Sequence, residues 1–320
     1  MPVTHEDALR VADLLAGARR LCVVCHRNPD GDAIGALLGT ALLAERGDPE
    51  REVLLHCGDP IPATFHFLPG ARRVRPLDFI ADGDVFFFVD CAEPKLTGLQ
   101  ESHPSLFDGS VPSVNVDHHP DNRRFATVNL VEPAACSSCE IVYDLARELR
   151  WPMDGDIATC LLTGIYTDTG GLLHSNTTAR VYRAVAHLLR EGARRQEIVQ
   201  AVFRMARVST LKLWGRVLEK IQITAEGGAI SAVTEGDFRA TGAVYSELTG
   251  AIDYVNAVPG MRFSCILSER EGKVKGSLRT LRDDVDVAKM AGKFEGGGHT
   301  KAAGFALPGR LQPEVRWKVV

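Results

Sequence analysis

The stretch from Cys25 to Gly35, CHRNPDGDAIG, decides the reading of this chain. It closes a short apolar run, Leu21-Cys22-Val23-Val24, and sets His26, Asp30 and Asp32 within seven residues. The apolar run reads as a buried strand over Leu21–Cys25. Ala33–Glu45 reads as a helix in which the small residues Gly35, Ala36 and Gly39 permit close packing. A buried strand that passes through a polar turn straight into a helix is the opening of an α/β unit.

The pattern recurs along the first half. REVLLHC (51–57) and SVNVDHH (113–119) read as strands, and DVFFFVD (84–90) is a continuous apolar run of the kind found in strands covered on both faces. CSSCEIVYDLAREL (136–149) and DIATCLLTGIYTDTGG (156–171) read as helices. Strands alternating with helices imply an N-terminal, doubly wound, mostly parallel α/β sheet. From 177 to 220 the sequence reads as helical throughout, a connection between domains. Beyond it, GAISAV (228–233), RFSCILSER (262–270) and KVKGSLRT (273–280) read as strands around helical stretches near 234–256 and 284–294. That mixture is a smaller α/β domain. At 320 residues, two domains are the better prior, and the expected boundaries are 1–185, a helical linker 186–220, and 221–320.

Composition narrows the function. Hydrophobic residues make up 45% and the net charge is −4, an ordinary globular balance that argues against broad binding to long nucleic acid, duplex DNA included. Residues 216–320 hold 15 Lys+Arg against 13 Asp+Glu, leaving 22 against 28 for the rest. No apolar run approaches a membrane span, and MPVTHEDALRVADLLAGARR at the N-terminus is amphipathic with no signal-peptide core, so the expected location is cytoplasmic and away from membranes. The eight cysteines are scattered. Cys22 and Cys25 sit three apart on one strand and so face opposite ways. Cys136 and Cys139 open a predicted helix and could share a face, as a redox or zinc pair or as plain reduced thiols.

In an open parallel sheet, ligands bind outside the carboxyl ends of the strands. His26, Asp30 and Asp32 follow the first strand, Asp90 ends the DVFFFV run, and Asp117, His118 and His119 end the SVNV run. Asp168 sits where the apolar helix IATCLLTGIY meets TDTGG. A single Asp at a strand end is a turn former or a helix cap. The same residue types at three strand ends describe one site. Five carboxylates gathered in one cleft would repel each other, and bound divalent cations remove the conflict. Carboxylate oxygen with imidazole nitrogen and no thiolate suits Mn²⁺, with Mg²⁺, Co²⁺ or Fe²⁺ as alternatives. The ligand count exceeds what one ion needs, so two ions sharing a carboxylate, roughly 3.5–4 Å apart, are expected.

HRNPDGDAIG, VDCA, VDHHP and TDTGG resemble, in order, the four motifs of the DHH phosphoesterases. GGGHTKAAG (296–304), preceded by GSLRT (276–280), resembles the DHHA1 domain that follows in one branch. Length and ending resemble the nano-RNase type, oligoribonucleases that also act on 3′-phosphoadenosine 5′-phosphate (pAp). The resemblance implies hydrolysis of short oligoribonucleotides, dinucleotides included, to 5′-mononucleotides, and dephosphorylation of pAp, by hydroxide attack on phosphorus at two metals. It implies that His26 and Asp30 hold one cation, that Asp32, His118 and Asp168 hold the other, and that Asp90 bridges them. His119 would face the substrate phosphate, and Asp117 would orient the histidines. Arg279, Gly296, Gly297, Gly298 and His299 would bind the nucleotide. Leu172, Leu173 and His174 stand where many relatives place an aromatic residue or arginine. A RecJ-like exonuclease, an inorganic pyrophosphatase and a silent dinucleotide sensor are the alternatives, and a homodimer is compatible with all of them.

Overall fold

The computed structural model describes residues 3–77, 79–203 and 207–312. The chain divides into two compact units, residues 1–205 and 206–320.

The first unit is built on five strands: β1 (Arg20–Cys25), β2 (Glu52–His56), β3 (Asp84–Val89), β4 (Ser113–Asp117) and β5 (Val128–Val131). They form one sheet in the order β2-β1-β3-β4-β5, and every neighbouring pair is parallel. The order reverses at β1/β3, the switch point at which such sheets bind ligands. β5 is the strand the sequence reading passes over. Its four residues, Val-Asn-Leu-Val, are too few for a period-2 signal to stand out.

The phenylalanine run divides between the two faces. Phe87 packs with Val23, Val114 and Leu130 beneath the helices, while Phe86 and Phe88 face Leu99, Leu106 and Phe125 on the opposite side. The helical face is covered by α1 (His5–Ala16), α2 (Gly31–Gly47), α3 (Ser138–Glu148), α4 (Gly155–Asp168) and α5 (Ala179–Arg190). The other face is closed by 3₁₀ turns and loops around Pro94–Thr97 and Pro104–Leu106. Helix α2 is buried over most of its circumference, so it must meet its neighbours closely. A methyl on Gly35 would lie 2.5 Å from the Cys160 carbonyl oxygen of α4, and one on Gly39 would lie 2.6 Å from Leu161 Cδ2. Those two glycines let α2 and α4 cross almost backbone to backbone.

The helical stretch expected over 177–220 consists of α5, a short α6 (Arg195–Ile198) running into a π turn at Val199–Phe203, and α7 (Val208–Glu219) at the start of the second unit; 204–206 lie outside the described residues. The second unit holds one six-stranded sheet of β6 (Gln222–Ile223), β7 (Gly228–Val233), β8 (Phe263–Arg270), β9 (Lys273–Arg279), β10 (Gly297–His299) and β11 (Ala302–Pro308), ordered β10-β11-β9-β8-β7-β6. Only β7 and β8 pair in parallel. The stretch 234–256 is not one helix. It is α8 (Glu235–Thr241), a 3₁₀ turn at Tyr245–Leu248 and α9 (Ala251–Asn256). Gly242 at φ 69° and Gly250 at φ 90° break it, since left-handed backbone cannot continue an α-helix. The stretch 284–294 contains α10 (Val287–Gly292).

Candidate metal centre

The parallel register places the site. Cys25 on β1 pairs with Val89 on β3, so the next residues, His26 and Asp90, leave the sheet side by side. His26 Nε2 lies 3.3 Å from Asp90 Oδ2. Asp90 is 3% exposed and adopts φ 57°. Left-handed backbone at a non-glycine residue is strained and is often found at functional positions.

Four elements converge on Asp90. Its Oδ1 is 3.7 Å from His118 Nε2, 3.5 Å from His119 Nδ1 and 3.1 Å from the Ser138 hydroxyl that donates to it. Asp30 caps the N-terminus of α2, accepting from the Asp32 and Ala33 amides, and stands 4.0 Å from His26 Nε2. Asp32, in the first turn of α2, is fully buried. Its carboxylate accepts the amide hydrogens of Ser138 at 2.6 Å and Cys139 at 3.0 Å, the N-terminal amides of α3. The N-terminus of one helix thus steadies an acid on another. Asp168 is the last residue of α4 and lies 3.4 Å from His118 Nε2.

Ligand atoms of His26, Asp30 and Asp90 lie within 4.8 Å of one another, as do those of Asp32, His118 and Asp168 and those of Asp90, His118 and His119. Burial, reinforced by Asp90, pushes the Asp32 carboxyl up to about 7. Burial and the charges of Asp32, Asp30 and Asp90 push Asp168 well above the ordinary range. Burial opposes ionisation of Asp90 as well, but His26, His118 and His119 hold it below the ordinary range. Burial works against a charged His26 and His119 too. The hydrogen bond to Asp90 nonetheless raises His26 to about 10, and that to Asp117 raises His119 to about 9. Among the described residues, no Lys or Arg side chain bonds to Asp30, Asp32, Asp90 or Asp168. Asp168 also sits at the carbonyl end of α4, where a helix disfavours an anion and favours a cation. Clustered acids, two of them buried, with no Lys or Arg partner among the described residues and with imidazoles beside them, fit bound divalent metal.

Asp117 is held apart from the ligand groups. It is fully buried, and its Oδ1 accepts from the His118 amide at 2.9 Å and from His119 Nδ1 at 2.8 Å. Its Oδ2 accepts from Asn122 Nδ2 at 2.6 Å, and the same amide group reaches Asn115 Oδ1 at 2.7 Å and the Cys91 carbonyl at 3.2 Å. Ser138, Asn115 and Asn122 carry no expectation in the sequence reading, and Cys139 enters it only as a thiol. Asn122 had a signal, since it stands three residues after His119 in DHHPDN. The amides of Ser138 and Cys139 had none, because a backbone donor leaves no mark on residue type. Cys136 lies ahead of the Ser137 cap of α3 instead of opening that helix, and all eight cysteines are free and buried.

In the second unit, His299 on β10 pairs with Ala302 on β11, and Ala302 pairs with Arg279 on β9. His299 and Arg279 therefore flank one residue across three strands, on the same face of the sheet. Burial lowers the pKa of the Arg279 guanidinium, with Asp253 opposing, and its Nη1 donates to the Leu278 carbonyl at 2.9 Å. Gly298 has φ 134°, and a methyl there would lie 2.6 Å from the Ala302 carbonyl oxygen; at Gly297 a methyl would meet nothing within 4 Å. No helix among the described residues is long and apolar enough to cross a membrane.

Residues 20–165 match the DHH family, N-terminal domain, and residues 230–316 match the DHHA1 domain. The chain is 33% identical over 312 residues, 96% of its length and 90% of the relative's, to the bifunctional oligoribonuclease and PAP phosphatase NrnA of Thermus thermophilus. It is 23% identical to the Bacillus subtilis protein of the same name, with 89% of each chain covered. The fold matches an exopolyphosphatase-related protein from Bacteroides fragilis at a TM-score of 0.85, with 22% identity, covering 98% of this chain and 93% of that one. The motifs, the sheet order and these likenesses agree: the chain belongs to the DHH family of metal-dependent phosphoesterases, in the branch that carries a DHHA1 domain.

Proposed function

We propose that this protein hydrolyses phosphate esters of short oligoribonucleotides, dinucleotides included, to 5′-mononucleotides and removes the 3′-phosphate of pAp. The observation that carries the reading is Asp90: one buried carboxylate, on strained backbone, in reach of His26, His118 and His119 together. His26 and Asp30 would hold one divalent cation, Asp32, His118 and Asp168 would hold a second, and Asp90 would serve both. Bound divalent cations supply an activated water nucleophile and neutralise phosphate charge. Mn²⁺ suits the oxygen and imidazole donors best. The amides of Ser138 and Cys139 keep Asp32 in place, and the Ser138 hydroxyl does the same for Asp90. Asp117, fixed by Asn122, orients His119, which protonates the leaving oxygen. Arg279, Gly296–Gly298 and His299 bind nucleotide phosphate, the guanidinium by its fork and the glycines by exposed amides.

The test is one panel under identical Mn²⁺ conditions: pAp, a dinucleotide, a 24-mer and inorganic pyrophosphate. The expected result is mononucleotide from the dinucleotide and phosphate from pAp, both abolished by chelation. Turnover confined to pyrophosphate, or to the 24-mer, overturns the reading.

A further inference from the structure

The connection from β4 to β5, residues 118–127, carries an arginine pair that the chemistry described so far does not use. The Arg123 amide donates to the Ala92 carbonyl at 2.8 Å, two residues beyond Asp90. The Arg124 amide donates to Asn122 Oδ1 at 2.6 Å, and the amide group of that asparagine holds Asp117. Both backbones are therefore tied to the segments that bring Asp90 and Asp117 to the metal centre. Arg124 is left-handed at φ 50°, a backbone region that non-glycine residues seldom adopt.

Both side chains are exposed, and among the described residues neither guanidinium meets a carboxylate, that of the adjacent Asp121 included. Arg20, Arg27 and Arg180 of this unit pair with Asp84, Asp59 and Glu140, whereas Arg183 and Arg190 on α5 are exposed and, among the described residues, likewise meet no carboxylate, so position beside the centre is what sets Arg123 and Arg124 apart. Two exposed arginines whose backbones are tied to the edge of an acid-lined centre can receive an anion that arrives with the substrate. The guanidinium fork matches phosphate geometry.

We propose that Arg123 and Arg124 bind a phosphate flanking the scissile one, so that this unit itself favours oligonucleotides over substrates with a single phosphodiester. The inference rests on the phosphoesterase reading above and adds the length preference. A dinucleoside monophosphate such as ApA offers its one phosphate to the metal centre, whereas ApApApA has others to offer the rim.

The test uses metal-loaded protein and phosphorothioate-linked ApApApA and ApA, which resist cleavage, with binding measured by calorimetry over a series of salt concentrations. The Arg123→Ala/Arg124→Ala variant is expected to lower the tetramer-to-dimer affinity ratio about tenfold at low salt. It is also expected to flatten the tetramer's log–log salt dependence by about 0.7, the share of one phosphate contact on a single strand. An Arg183→Ala/Arg190→Ala variant on α5 controls for loss of charge alone. An unchanged ratio and slope, or an equal effect from the α5 variant, overturns the proposal. Wild-type protein that shows the rim effect yet releases no mononucleotide from unmodified ApA would refute the proposed function and leave the rim standing.

Discussion

Asp90 Oδ2 lies 3.3 Å from His26 Nε2 because the residues before them, Val89 and Cys25, are register partners on adjacent parallel strands. The two come from positions 64 residues apart in the chain and meet at the sheet's switch point. Asp90→Ala is expected to lower kcat/KM by about a hundred- to a thousandfold or more and to reduce bound metal in elemental analysis, with the circular dichroism spectrum kept. Undiminished turnover in a folded variant would remove Asp90 from the centre.

The metal-free protein should lose stability as pH rises. Asp32 and Asp168 titrate above their unfolded value near ~3.9, and His26 and His119, at about 10 and about 9, above theirs near ~6.5. The native state therefore binds more protons than the unfolded chain from about pH 4 upward, and the excess is given up as pH climbs. Asp90, held low, acts oppositely but only below about pH 4. Chelated protein should show a lower Tm at pH 9 than at pH 5, while the gain in Tm on adding Mn²⁺ grows with pH. A chelated Tm that rises over this range would contradict the account of the buried acids.

Gly164 on α4 faces Asp32. A methyl there would lie 2.5 Å from Asp32 Oδ1 and press still closer on Cys139 Sγ. Gly164→Ala is expected to cost about 1–3 kcal/mol in denaturant unfolding and to abolish activity by displacing the carboxylate. Gly39→Ala presses on the Leu161 side chain, at 2.6 Å from Cδ2 and 3.1 Å from Cγ, and on no ligand group, so it should leave activity near wild type. Equal activity in both variants would separate Asp32 from the chemistry.

The glycine run of the second unit can be split by the same geometry. Gly298→Ala forces a side chain into φ 134° and onto the Ala302 carbonyl, a strain of about 1–3 kcal/mol. Gly297→Ala has open space and should leave stability within about 0.5 kcal/mol of wild type. If the run cradles phosphate, Gly297→Ala still raises KM for a dinucleotide, by about tenfold, a loss of about 1.4 kcal/mol. An unchanged KM would show that these glycines serve the hairpin alone.

The sequence by itself pointed to His26, Asp30, Asp32, Asp90, His118 and Asp168 as candidate ligands and to the segments that carry them, and the structure brings their ligand atoms within reach of one another. His26, Asp30, Asp90, His118 and Asp168 follow apolar runs whose period is legible locally, and a parallel sheet delivers strand ends to one edge. It did not determine what holds them. The amides of Ser138 and Cys139 on Asp32, the Asn122 clasp on Asp117, and the line from His299 through Ala302 to Arg279 depend on which distant segments become neighbours. So do the breaks at Gly242 and Gly250 and the short β5, where tertiary pairing and left-handed backbone override a weak local signal. Residue type records what a side chain can do. Strand order and register, fixed by packing across the whole core, decide what it meets.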